Sequence, residues 1–178
     1  MRYIKIPRDR VAVLIGKNGE VRKKIEEQGV KLEIDSSTGD VKIMADDGLT
    51  EMLAENVVRA IGRGFSPEKA MLLFRDDYYF ELMDIRDWAG KRINHVKRLA
   101  GRIIGKEGRA RRYIEEITGA HISVYGHTVA IIGRIGEMEM AKRAIEMLLE
   151  GASHQTVYRF IEKEKKRRKL EEFGIYRR

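Results

Sequence analysis

Cysteine is absent from the 178 residues, which excludes disulfides and thiolate-ligated metals and fits a reducing compartment. No apolar run approaches the roughly 20 residues that cross a membrane as a helix, and the charged N-terminal stretch has no signal-peptide core. A soluble, cytoplasmic protein without membrane contact is expected. Histidine is sparse: His95, His121, His127 and His154 stand apart, none with a carboxylate at metal-ligand or catalytic spacing. Asp46-Asp47 and Asp76-Asp77 lack the further partners of a metal site, and Ser36-Ser37 lacks a histidine relay. No catalytic residue, metal or cofactor is expected, so the chain reads as a binder and not an enzyme.

Charge is abundant. Asp, Glu, Lys and Arg make up 36% of residues, with a formal net charge of +8, against roughly 25% charged residues in an ordinary soluble domain. A basic balance points to a polyanionic partner. The excess is uneven. Residues 1–73 hold 13 Lys/Arg against 12 Asp/Glu, whereas residues 86–112 hold 10 against 2 and residues 162–178 hold 8 against 4. The second half should therefore carry most of the phosphate attraction.

The basic belt surrounds Arg102-Ile103-Ile104-Gly105-Lys106-Glu107-Gly108-Arg109-Ala110-Arg111-Arg112-Tyr113-Ile114. A weaker copy lies upstream, in Val13-Leu14-Ile15-Gly16-Lys17-Asn18-Gly19-Glu20-Val21-Arg22-Lys23-Lys24-Ile25. Gly105 aligns on Gly16, and Ile114 on Ile25, at one offset of 89 residues, so motif and spacing repeat together. Two glycines three apart let a turn bring its backbone against a phosphate. The helix that follows offers unpaired N–H groups and the positive end of its dipole. An apolar-apolar-Gly-x-x-Gly turn between two helices resembles the nucleotide clamp of KH domains, which hold about four nucleotides of single-stranded RNA or DNA.

The periodicity around the first copy predicts a strand at 3–6 ending at Pro7, and helices over 8–15 and to Gln28. Strands follow at 31–34 and 41–44 across a Ser-Ser-Thr-Gly-Asp turn. Thr50 with Glu51 is expected to start a longer helix through Ile61. Ser66-Pro67-Glu68 then restarts a short helix through Phe74. The second copy predicts a strand within 78–87, helices at 91–104 and through Ile117, strands at 120–125 and 128–132, and a helix at 135–150. A last helix over 153–169 has Val157, Phe160 and Ile161 to dock, and its basic end is expected to project into solvent. This order places the third helix after the hairpin, which is the type I arrangement. The expectation is an α+β chain of two tandem type I KH domains, each a three-stranded sheet packed by three helices, plus a C-terminal helix. The expected divisions are 1–73, 74–152 and 153–178, the last a helix and basic tail.

Candidate RNA-binding residues follow from the two loops. They are Gly16, Lys17, Asn18 and Gly19 in the first copy. In the second they are Arg102, Ile103, Ile104, Gly105, Lys106, Glu107, Gly108, Arg109, Arg111 and Arg112. Glycines clamp the backbone, cations supply charge, and the isoleucines line or support the groove for bases. Glu107 should repel a phosphate, but the surrounding cations outweigh it. A third match, Gly133-Arg134-Ile135-Gly136, fits a turn and helix start better than a binding loop. The Gly101–Lys106 stretch lacks the glycine spacing and the Ser/Thr of a Walker loop.

Beyond the generic pattern, the second half resembles one family, in residues 95–108, Tyr113-Ile114-Glu115, His127–Gly133 and Gly151-Ala152-Ser153-His154-Gln155-Thr156-Val157-Tyr158. These are similar to the archaeal Dim-two proteins, called "partner of Nob one" in eukaryotes, which assist small ribosomal subunit maturation. The resemblance implies binding to the 3′ region of small-subunit ribosomal RNA, led by the second KH domain. It also implies contact with a PIN-domain endonuclease or another ribosome or translation factor. Eukaryotic members have lost the first GxxG, whereas Gly16 and Gly19 remain here. An alternative is an RNA-guiding subunit of a degradation complex such as an exosome cap. Such caps usually carry an S1-type barrel, and no run of short strands here supplies one.

Overall fold

The computed structural model describes residues 1–174 and divides into two compact units, Met1–Phe80 and Glu81–Arg178. The first unit runs β1 (Arg2–Lys5), α1 (Arg8–Ile15), α2 (Glu20–Glu26), β2 (Val30–Asp35), β3 (Asp40–Ala45), α3 (Gly48–Gly62) and α4 (Pro67–Met71). A short 3₁₀ turn, Lys17–Gly19, joins α1 to α2. The strands form an antiparallel sheet in the order β1-β3-β2, with Ile4 opposite Val41 and Leu32 opposite Ile43. Alternation in β2 sends Val30 and Leu32 inward and leaves Lys31 and Glu33 in solvent, the pattern of a half-buried strand. Leu14, Ile25, Leu32, Ile43 and Ile61 are fully buried, so helices and strands of the motif contribute to one core.

Capping residues explain where the helices begin. The Asp47 carboxylate accepts from the Thr50 N–H at 2.8 Å, so the cap of α3 lies three residues ahead of the expected Thr50. Ser66 caps α4 and Pro67 occupies its first position, where a missing N–H costs nothing.

The second unit is reached through β4 (Tyr79–Asp84). It continues with α5 (Arg86–Ala89), α6 (Ile93–Ile104), α7 (Arg109–Thr118), β5 (His121–Tyr125), β6 (Thr128–Gly133), α8 (Ile135–Leu149) and α9 (His154–Glu172). The sheet order β4-β6-β5 repeats that of the first unit. Ile103, Ile114, Ile131 and Ile145 are fully buried in its core. The division between units falls at Phe80, seven residues beyond the expected 73. The stretch after α4 closes as a 3₁₀ turn (Leu72–Phe74) with Leu73 buried, so it folds with the first unit. The short helix α5 is an addition to the expected order. The Asp84 carboxylate accepts from the Arg86 N–H at 2.9 Å, which ends the strand and starts the helix.

α9 is part of the second core and not a separate segment. Val157 and Ile161 have no exposed surface, and Arg168 still reaches Glu139 of α8 at 3.7 Å, within the stretch expected to project into solvent. The last two arginines of the expected basic tail, Arg177 and Arg178, lie outside the described residues. No helix among the described residues is long and apolar enough to cross a membrane.

Candidate nucleic-acid interface

The two glycine loops share one backbone. Gly16 has φ 75° and ψ 172°, and Gly105 has φ 74° and ψ 174°. This region of backbone space is essentially open to glycine alone. Space gives a second reason. A Cβ on Gly16 would stand 2.8 Å from the Val21 nitrogen, and one on Gly105 would stand 2.8 Å from the Ala110 nitrogen. The loop is folded that tightly onto the start of the next helix. At the third loop position Asn18 (φ 55°, ψ 29°) and Glu107 (φ 55°, ψ 26°) are left-handed, and Gly19 and Gly108 follow in the same region.

This geometry has a chemical consequence. α7 begins directly after Gly108 with no side-chain cap and no acid in its first turn. The Arg109 N–H bonds the Lys106 carbonyl, which leaves the next N–H groups and the positive dipole end to face an anion. Lys106 and Arg109 are exposed beside them. Glu107 is 67% exposed, and its carboxylate sits 3.3 Å from the Arg109 guanidinium. Arg112 donates to the Glu107 carbonyl at 2.7 Å and so holds the loop. Arg111 is paired along the helix with Glu115 at 2.6 Å.

Two of the expected contact residues lie elsewhere. Ile103 has no exposed surface, because it faces the core with Val96 and Leu99; it supports the groove from behind and cannot touch a base. Arg102 donates through Nη2 to the Ala152 carbonyl, so its guanidinium is turned toward the start of α9. Ile104 is half-buried. In the first unit Lys17 and Asn18 line a groove of about 370 Å³, shared with Glu20, Lys23, Lys24 and Glu27. Its mixed charge contrasts with the second loop. A larger basic groove of about 840 Å³ lies at the start of α6, lined by Lys91, Arg92, Ile93, Asn94, His95 and Arg98. No group of three or more metal-ligating side chains occurs among the described residues.

Sequence reasoning missed the residues that tie α9 to the loop's flanking helices. His154 Nε2 donates to the Arg102 carbonyl at 2.7 Å, and the Tyr113 hydroxyl donates to the Glu162 carboxylate. That bond, with burial, pushes the Tyr113 phenol up to about 12. The only signal in the sequence is the Gly151–Tyr158 similarity, which carries no spacing that reveals a role.

Two strand-helix-turn-helix-strand-strand-helix units, each with a glycine clamp, define a tandem KH protein. Residues 79–166 match the family model described as a eukaryotic type KH domain (type I), and residues 1–53 match that of the KH domain. A KH domain-containing protein of Methanocaldococcus jannaschii is 51% identical over all of this chain and 80% of its own length. The pre-rRNA-processing protein pno1 of Aspergillus fumigatus is 32% identical over 78% of this chain and 53% of its own. The solved a/eIF2alpha-aDim2p-rRNA complex of Pyrococcus horikoshii matches with a TM-score of 0.85 and 47% identity, over 93% of this chain and 94% of that chain. The chain belongs to the Dim2/PNO1 family of KH-domain proteins. It spans about half the length of the eukaryotic relatives it matches.

Proposed function

We propose that this chain binds single-stranded RNA and acts, without enzymatic activity of its own, in maturing the 3′ end of small-subunit ribosomal RNA in the cytoplasm. The observation that carries this reading is the loop Gly105-Lys106-Glu107-Gly108. It combines a glycine-only backbone, an uncapped helix start and a dense belt of cations on both sides. Gly105 and Gly108 clamp the phosphodiester backbone. Lys106, Arg109, Arg111 and Arg112 supply charge, and Ile104 faces the bases. Gly16, Lys17, Asn18 and Gly19 offer a second, weaker clamp with the same backbone. The names of the relatives support the RNA: one is a pre-rRNA-processing protein, another was solved with rRNA. The protein partner we propose is a PIN-domain endonuclease or another ribosome or translation factor, on the family resemblance.

The test is binding of the full chain to a 3′-terminal fragment of small-subunit rRNA and to a shuffled RNA of equal length, across a salt series. Preference for the true sequence that survives moderate salt is expected. Equal binding that collapses with salt would reduce the role to phosphate attraction.

A further inference from the structure

α9 touches both helices that flank the second glycine loop, each by a polar contact near the loop. On the α6 side the contact is reciprocal. The Arg102 guanidinium donates to the Ala152 carbonyl ahead of α9, and His154 on α9 donates back to the Arg102 carbonyl. That carbonyl belongs to the last turn of α6, whose final carbonyls have no partner within the helix. Gly105 N–H takes the preceding one, of Gly101, at 2.8 Å. His154 therefore caps α6 immediately before the clamp. On the α7 side Tyr113 donates to Glu162, and its ring lies 4.3 Å from that of Tyr158 at 49°. Between these contacts Val157 and Ile161 anchor α9 in the core.

The first copy is built differently. At the offset of 89, Arg102 corresponds to Val13, which has no side-chain donor, and Tyr113 to Lys24, whose ammonium lies 3.9 Å from Glu20 on its own helix. There, Arg10 of α1 donates to the Ile61 and Phe65 carbonyls at the end of α3 and beyond it, both at 2.8 Å, which secures α1 but not α2. The extra helix and its two attachment residues occur together, in the unit with the more basic loop.

We propose that α9 is a brace that fixes α6 against α7, and that Arg102, His154 and Tyr113 are positioning residues that hold the Gly105–Gly108 clamp ready for a phosphate. They act on RNA affinity without touching RNA. A preorganised clamp loses less freedom on binding than a loose one. The proposal rests on the RNA-binding reading of this loop, and its test has one measure that does not.

The experiment compares the full-length protein with His154→Ala, His154→Gln and Tyr113→Phe. It reads amide hydrogen exchange at Gly105–Gly108 without RNA, and affinity for a single-stranded rRNA 3′-end fragment. His154→Ala should speed exchange in the loop and weaken binding about fivefold, the scale of one lost hydrogen bond. His154→Gln, which can still donate to the Arg102 carbonyl, should restore much of both. Tyr113→Phe, which keeps the ring and the fold, should loosen the α7 side of the loop in the same exchange measurement. If loop exchange in His154→Ala and Tyr113→Phe matches the wild type, the brace is overturned. Were the wild type to bind no RNA, the functional reading would fail while the exchange result still judged the brace.

Discussion

Asn18 and Glu107, eighty-nine positions apart in the sequence, occupy the same left-handed backbone site, each at φ 55°. Asparagine is at home there and glutamate is not. The second loop thus accepts both a conformational cost and a negative charge where a phosphate should lie. Glu107→Asn should remove both and release Arg109 from its 3.3 Å partner. RNA affinity is expected to rise about fivefold, on the scale of one charge pair in water. Asn18→Glu should do the opposite to any binding by the first loop. Equilibrium titration of both variants checks the sign.

Gly105 allows no substitute. With φ 74° and ψ 174°, and the Ala110 nitrogen 2.8 Å from a would-be Cβ, Gly105→Ala forces α7 away from the loop. A loss of about 2 kcal/mol in denaturant unfolding is expected from the backbone strain alone. RNA binding should fall with it. Gly16→Ala should cost similar stability and less RNA affinity.

Asp84 gives the acid side of the stability profile a handle. Its carboxylate accepts from the Arg86 side chain at 2.7 Å and from its N–H, which holds the carboxyl well below the usual carboxylate range. A lowered folded-state value stabilises the protein above the unfolded carboxylate value of about 3.9. That contribution is lost as the pH falls toward the folded value. Asp84→Asn should therefore lower the melting temperature at pH 6, and the wild-type advantage should narrow as the pH drops from about 4 to about 2. A constant gap across that window would contradict the assignment.

Tyr113 does the same at the alkaline end. Its phenol, hydrogen-bonded to Glu162 and partly buried, titrates at about 12. A raised folded-state value contributes stability in full below the unfolded tyrosine value of about 10. That stability drains away as the pH rises through the folded value. Ultraviolet titration of phenolate should show a late-titrating tyrosine that disappears in Tyr113→Phe.

The repeat makes the fold legible. One offset aligns both glycines and the isoleucine behind them, so the sequence alone outlines two copies of a single unit. The expected helix and strand order holds in the first unit and, with α5 inserted, in the second. What the sequence hides is direction. Arg102 belongs to a basic run, and nothing in its spacing says that it turns away toward Ala152. Ile103 sits beside Ile104, and only the phase of α6 decides that one is core and the other half-buried. Capping misleads by three residues at α3, because Asp47 and Thr50 are both good caps and bond to each other. The apolar residues that dock α9, Val157 and Ile161, show in its local pattern, whereas its polar attachments to Arg102 and Tyr113 join side chains distant in sequence that no local pattern encodes.

The measurement that bears most directly on the account is RNA binding by the double variant Lys106→Asp with Glu107→Asp. It leaves both clamp glycines and the core in place, reverses the charge at position 106 and keeps the negative charge at 107. A loss of affinity of roughly tenfold or more for the rRNA 3′-end fragment is expected, with circular dichroism and melting temperature unchanged. Wild-type affinity in a natively folded double variant would contradict the role given to this loop.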